Sequence, residues 1–158
     1  MLRTMDTPDL EATYRSLLET ARAGGFRTPG DTAQWPAERV LAHVVATDRL
    51  LSAVTAGVLA GRTTRYDNAV AGDAAYLDAI ARAAGDWDGL VAEVRRCGLE
   101  LVLLLRQLDD ARATTAVHTR LVDGEDVRME SPMPWSGVIA THTQIDLPDH
   151  ERKLEALR

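Results

Sequence analysis

The chain has a single cysteine, Cys97, and this shortage excludes two kinds of protein. One thiol can form neither an internal disulfide framework nor a cysteine-based zinc cluster. Such scarcity is typical of proteins that work in a reducing compartment, so we expect a cytoplasmic location. The sequence also lacks any run that approaches about 18 apolar residues, and its N-terminus lacks the apolar core of a signal peptide. These absences predict a soluble protein that does not contact a membrane.

Positive charge is also in short supply. The sequence has 18 Lys and Arg residues against 24 Asp and Glu residues, which gives a net charge of −6. A chain with this balance has no field that attracts nucleic acid or an anionic membrane. With 158 residues, of which 46% are hydrophobic, it is long enough for one globular domain with a real core. We therefore expect a single domain over residues 1–158 and a small molecule as its partner.

Apolar residues recur at helical spacing in four segments of the chain. The expected boundaries come from N-cap residues, from prolines suited to a first helical turn and from terminating glycines. The first helix follows a cap at Asp6 or Thr7 and ends at Gly24-Gly25, and the second opens at Trp35-Pro36 and runs to about Ala60. The third starts at Asp73 and ends near Asp110, with a possible break at Gly85. The fourth begins at Trp135.

Residues 62–72 are polar and predict a loop, in which residues 66–68 could fold against the helices. The periodicity then changes to strand-like alternation over residues 117–122 and 126–130, on either side of Asp123-Gly124. That dipeptide predicts a hairpin with a two-residue type I′ turn. Four helices can bury their apolar faces only against one another, so the pattern predicts an all-α four-helix bundle with a small β-hairpin between the third and fourth helices.

The fourth helix carries an inward row of polar residues, His142, Asp146 and His150, on the face that also holds Ile145 and Leu154. Burying such groups without partners costs a few kcal/mol each, so something must satisfy them. Asp146 and His150 are four residues apart and can reach one ion. His142 and His150 are two turns, or roughly 12 Å, apart, so His142 is more simply a structural neighbour.

The third metal ligand has to come from another helix, and His43 of the second helix would lie level with this pair if the two helices pack antiparallel. His43, Asp146 and His150 are therefore the candidate metal ligands, and a divalent Zn, Ni or Fe ion held by them would keep open positions for water or substrate. Pro148 removes one helical hydrogen bond and could shift the register. In that case His142 or Asp149 would replace Asp146.

These residues resemble the DinB/YfiT-like superfamily: Trp35 is followed by seven residues and His43, and Asp146 is followed by three residues and His150. The chain looks closest to the N-terminal domain of mycothiol-dependent maleylpyruvate isomerase, although many members have His where this chain has Asp146. The resemblance implies a DinB-like bundle with His43, Asp146 and His150 as metal ligands. It also implies a transferase role that depends on a low-molecular-weight thiol.

Two kinds of function remain open from the sequence. The first is a metal-dependent enzyme, a transferase or hydrolase that uses a thiol or another small substrate. The second is a non-catalytic binding or stress-associated bundle, in which the polar residues form a structural network around a degenerate metal site. We expect a homodimer formed through helix faces in either case.

Simple structural roles are expected for the remaining distinctive residues. Trp35 and Trp135 predict core anchors at helix starts, and Cys97 predicts a small buried apolar residue. His118 alternates with apolar positions in the hairpin, which indicates an exposed site on a strand.

Overall fold

The computed structural model describes Met5 and residues 7–158, and this part of the chain is mainly α-helical with one small sheet. Its elements, in chain order, are α1 (Pro8–Ala23), α2 (Ala37–Leu59), β1 (Arg65–Asp67), a 3₁₀ turn (Ala69–Gly72), α3 (Ala74–Ala84), α4 (Trp87–Leu105), the single turn α5 (Asp110–Ala113), β2 (Ala116–Asp123), β3 (Asp126–Pro134), α6 (Trp135–Thr141), a π-helical turn (His142–Asp146) and α7 (Leu147–Glu155).

The first two helices begin and end at the residues that the sequence predicts. Helix α1 starts at Pro8, directly after Thr7, and stops before Gly24, whose φ of 64° ends the helical conformation. The alternative cap, Asp6, lies outside the described residues. Helix α2 starts directly after Pro36. Proline suits the start of a helix, because an N–H at this point would have no partner within the helix.

The predicted third helix is two helices, α3 and α4, separated at Gly85. That glycine has a φ of 89°, which ends α3. Asp86 then caps a new helix, because its carboxylate accepts a hydrogen bond of 2.8 Å from the backbone N–H of Gly89. The interruption considered at Gly85 is therefore present.

The long helices pack side by side around one core. Helix α2 contacts α3, α4 and α7, while α1 contacts α4 and α7. The apolar faces of α1, α2 and α4 meet in this core, as their helical periodicity predicts. Trp135 at the start of α6 is fully buried, so the prediction of a core anchor is confirmed at this position.

Helix α2 is long and apolar enough to cross a membrane if only length and composition are considered, with a mean hydropathy of 1.2. However, 67% of that apolar window is buried inside the fold. A window that is mostly buried inside the fold is the pattern of a core helix.

The predicted hairpin is present, but it belongs to a three-stranded sheet with the order β1-β2-β3. Strands β2 and β3 are antiparallel, while β1 pairs with β2 in parallel through Arg65 and His118. Strand β1 lies in the segment predicted to be a loop, so that prediction is wrong for residues 65–67. Three residues are too few to produce an alternating pattern. The considered folding of Tyr66 against the helices is confirmed, since its side chain is buried.

The hairpin turn differs from the predicted type I′. Its two central residues are Gly124 and Glu125. Gly124 has a φ of 61°, and no described residue other than glycine has a positive φ. A positive φ at the first central residue alone indicates a type II′ turn, for which glycine at that position is the usual choice.

Gly98 on α4 allows α1 to approach closely, which gives a first prediction. A Cβ atom at Gly98 would lie 3.0 Å from the ring of Tyr14. Tyr14 cannot easily move, because its hydroxyl donates a buried hydrogen bond of 2.7 Å to Asp48. We expect Gly98→Ala to lower the free energy of unfolding by about 1 kcal/mol, since overpacking outweighs the gain in helix propensity.

Urea unfolding of Gly98→Ala in the wild-type and Tyr14→Phe backgrounds tests this explanation. The substitution should cost less in the Tyr14→Phe background, where the ring is free to shift. An equal cost in both backgrounds would contradict the role assigned to the anchored ring.

Candidate functional site

His43 is held in one defined orientation on the inner side of α2. Its Nδ1 lies 2.5 Å from the backbone carbonyl oxygen of Ala71, in the 3₁₀ turn. A carbonyl only accepts, so Nδ1 carries the hydrogen and Nε2 keeps its lone pair. Burial lowers the pKa of His43, while the bond to Ala71 opposes this change. The side chain is therefore a neutral imidazole with a free nitrogen, which is the form that binds a metal ion.

The last helical segment changes register within the stretch that carries Asp146 and ahead of His150. Pro148 lacks an N–H, and its ring would crowd the carbonyl of Gln144 in a regular α-helix. The chain widens into a π-helical turn over His142–Asp146 and resumes as α-helix at Leu147. The register shift considered at Pro148 is thus present.

The π-helical turn places Ile145 on a different side of the last helix from the one that the sequence predicts. Ile145 was expected on the apolar face of the last helix, but 60% of its surface is exposed. The extra residue of the π turn rotates Ile145 outward. His142, Leu147 and His150 remain buried on the inner side, and Asp146 is half-buried.

His150 contacts His43 directly. Their ring centroids lie 4.8 Å apart with an angle of 78° between the planes. Burial lowers the pKa of His150 to about 3, and the neighbouring His43 adds to this effect. Both imidazoles are therefore neutral at physiological pH. The predicted closeness of the second helix and the last one is confirmed at these two residues.

Asp146 lies on the wall of the same cavity as the two histidines. Burial raises the pKa of its carboxyl, and the nearby His142 and His43 oppose that shift. Among the described residues, no side chain or backbone group forms a hydrogen bond with this carboxylate. Its alternative, Asp149, is already engaged by Lys153 at 2.9 Å and by Arg152 at 3.3 Å.

These side chains line a cavity of about 1320 Å³ between the helices and the sheet. The hairpin forms one part of its wall through Met129 and Met133, and β1 contributes Tyr66. Trp35 also lines the cavity, with its ring centroid 5.4 Å from that of His43. Trp35 is half-buried and packs against the core, so the predicted anchor role is confirmed in part, and its ring also lines the cavity.

His142 belongs to a buried network that crosses three helical segments. Its Nε2 lies 3.1 Å from Asp48 Oδ1 and 3.1 Å from the hydroxyl of Tyr14, which itself donates to Asp48 at 2.7 Å. All three side chains are buried, and Asp48 is 0% exposed. The structure thus supports the structural role predicted for His142.

Asp48 and Tyr14 were missed by the sequence reasoning. The available signal was a charged residue, Asp48, between Val44 and Leu51 on the apolar face of α2. A carboxylate at such a position requires a partner in the core.

The remaining distinctive residues lie away from the cavity. His118 is on β2, where its Nε2 lies 3.4 Å from Glu130 in an exposed pair, so its predicted strand position is confirmed. Cys97 is buried as predicted, and burial raises the pKa of its thiol to about 11. Neither residue can act on a molecule in the cavity.

His43 and His150 come together, while Asp146 shares their cavity without a direct contact to either. Within the described residues, no group of three or more His, Cys, Asp or Glu side chains is already arranged around one point as metal ligands would be. Of the three predicted ligands, His43 and His150 form a contacting pair, and Asp146 lies on the wall of the same cavity.

Comparisons of the chain with protein-family models, with curated proteins and with solved structures each found no match. The chemistry of the cavity is accordingly inferred from its own side chains.

Proposed function

We propose that this protein is a metal-dependent enzyme that acts on a small molecule in the cavity, with a divalent ion held by His43, Asp146 and His150. The observation that carries this proposal is the contact between the neutral imidazoles of His43 and His150, 4.8 Å apart between ring centroids, on the cavity wall. The bond from His43 Nδ1 to a backbone carbonyl is the partner that commonly orients a metal-binding histidine.

Asp146 is the best third ligand that the described wall offers. Its carboxylate is free of hydrogen bonds, whereas Asp149 is paired with Lys153. Binding would require a side-chain rotation that brings Asp146 towards the two histidines. Asp146 is half-buried on the cavity wall, where such a rotation would take place.

A set of two histidines and one aspartate suits Zn, Ni or Fe and leaves coordination positions open. An ion bound there would lower the pKa of a coordinated water or thiol and so supply a nucleophile at neutral pH. The cavity, with Trp35 and Tyr66 on its wall, would hold the second reactant. This fits a transferase or hydrolase that uses a low-molecular-weight thiol, the role that the family resemblance implies.

We also propose that the fold is a DinB-like four-helix bundle. Helices α1, α4, α2 and α7 form a closed ring of contacts, α1 with α4, α4 with α2, α2 with α7 and α7 with α1. This ring supports the proposal, with the hairpin inserted before α6. A cytoplasmic homodimer remains part of it, and Leu99 and Leu103 on α4 offer exposed apolar surface for such a contact.

A second candidate is a non-catalytic binding bundle whose inward polar residues are structural. The buried network of Tyr14, Asp48 and His142 favours it, since one member of the polar row already has partners inside the protein. This candidate requires no metal ion and predicts no stoichiometric binding.

Metal analysis of protein purified without a polyhistidine tag separates the two candidates. For the enzyme we expect about one divalent ion per chain, and Co²⁺ added after removal of that ion should give the absorption of a cobalt centre with nitrogen and oxygen ligands. A chain without bound metal and without a Co²⁺ spectrum would favour the binding bundle.

A further inference from the structure

We propose that the cavity accepts neutral or cationic small molecules and rejects those that carry a carboxylate or a phosphate at the end remote from the reacting group. This inference rests on the proposed function, because it names the substrate class of the same cavity. It comes from the charges on the cavity wall and from the way in which they are paired.

Negative charge predominates on the part of the wall that the structure describes. Two cationic side chains, Arg128 and Lys153, face five carboxylates across the cavity. The five are Asp31, Asp73, Asp123, Asp146 and Asp149. A cleft lined mainly by one sign of charge concentrates ligands of the opposite sign and repels those of the same sign.

Both cations of this wall are already paired. Lys153 Nζ lies 2.9 Å from Asp149, and the guanidinium of Arg128 lies 3.4 Å from Asp123. A carboxylate or phosphate on the substrate would meet each of these cations beside an aspartate, which offsets much of its attraction. Anion recognition in proteins relies on Arg or Lys groups whose charge is not offset nearby, and each of these two cations has an aspartate beside it.

The unpaired polar groups of the wall accept hydrogen bonds instead. The carboxylate of Asp146 has no partner among the described residues. His43 Nδ1 donates to the backbone carbonyl of Ala71, so its other ring nitrogen, Nε2, is left as an acceptor. In the metal-free protein, acceptors of this kind complement amines, amides and hydroxyls.

Aromatic rings on the same wall add to this preference. Trp35 and Tyr66 both line the cavity. Faces of aromatic rings attract organic cations and pack against neutral apolar groups, while they give no favourable contact to a carboxylate. A bound ion would supply positive charge for one anionic group, the coordinated thiolate or hydroxide. The rest of the molecule would still meet an acidic wall.

Three thiols of similar size test the preference, because their main difference is the charged or neutral group at the remote end. They are 2-aminoethanethiol, 2-mercaptoethanol and 3-mercaptopropionate, which are cationic, neutral and anionic. Binding to the Co²⁺-loaded protein is read from the thiolate-to-cobalt absorption, and binding to the metal-free protein from amide shifts in NMR spectra. At low ionic strength we expect the dissociation constant of the anionic thiol to be at least about tenfold higher than that of the neutral one.

Two variants connect the preference to the wall. Asp149→Asn frees Lys153, so it should strengthen binding of 3-mercaptopropionate about fivefold to tenfold and leave 2-mercaptoethanol unchanged. Glu155→Gln is the matched control, because it removes an exposed carboxylate of α7 that does not line the cavity. It should alter neither affinity.

The outcomes for this inference and for the proposed function can be distinguished. Equal binding of the anionic and neutral thiols, no binding of any thiol, or no response to Asp149→Asn overturns the charge preference. Absence of a Co²⁺ spectrum overturns the metal-dependent enzyme, while the NMR comparison on the metal-free chain still decides the charge preference.

Discussion

His142→Ala is expected to lower the free energy of unfolding by about 1–3 kcal/mol, the usual result of removing one hydrogen-bond partner from a buried polar group. The substitution leaves Asp48, which is 0% exposed, with only the hydroxyl of Tyr14 as a donor. One oxygen of Asp48 already lacks a described partner. Since small domains are stable by about 5–15 kcal/mol, the loss would be a large part of the total.

Urea unfolding measures this effect, and a double-mutant cycle attributes it to the pair. The double variant Asp48→Leu with His142→Leu should cost less than the sum of the two single leucine variants by more than about 1 kcal/mol, because neither partner is left alone. Arg49→Ala is the control, as it breaks an exposed pair with Glu93 and should cost less than about 1 kcal/mol. A loss below about 1 kcal/mol for His142→Ala would show that Asp48 finds another partner.

His43→Ala and His150→Ala are each expected to weaken Co²⁺ binding by more than about 100-fold. The reasoning is that partners which only orient a ligand are worth about 10–100-fold in metal affinity, so a ligand should be worth more. Competition with a chelator of known affinity gives the dissociation constants. Added metal should raise the melting temperature of the wild type more than that of either variant, because an ion that binds only the folded chain stabilises it.

Three further variants test which carboxylate binds the ion and whether the effect is specific to residues of the cavity. Asp146→Asn should weaken Co²⁺ binding, while Asp149→Asn should leave it nearly unchanged if Asp146 is the third ligand. His118→Ala removes a histidine of the hairpin that does not line the cavity, so its metal affinity should equal that of the wild type. Equal metal affinity in wild type and His150→Ala would contradict the proposed site.

The fold was predictable wherever a residue acts locally. Pro8, Gly24 and Gly85 end or begin helices through backbone preferences that hold in any context. Strand β1 could not be predicted, because its pairing with β2 depends on residues that are distant in the sequence. The turn type was also missed, since Asp123 extends β2 and moves Gly124 to the first central position.

The candidate site was predictable in part for a related reason. Helical spacing and the expected packing identified His43 and His150, and their contact follows from the packing of α2 on α7. The outward rotation of Ile145 was not predictable from regular geometry, because it arises from the π turn before Pro148. Asp48 was missed because its partners come from other helices.

The parallel pairing of β1 with β2 has a consequence for the order of folding. Asp67 and Arg120 on these strands are 53 residues apart in the chain, and α3 and α4 lie between them. Closing such a loop costs entropy that local helix contacts do not, so the helices should associate before the sheet forms. The side of the cavity built from Tyr66, Met129 and Met133 would then be completed last and would be the first to exchange its amide hydrogens.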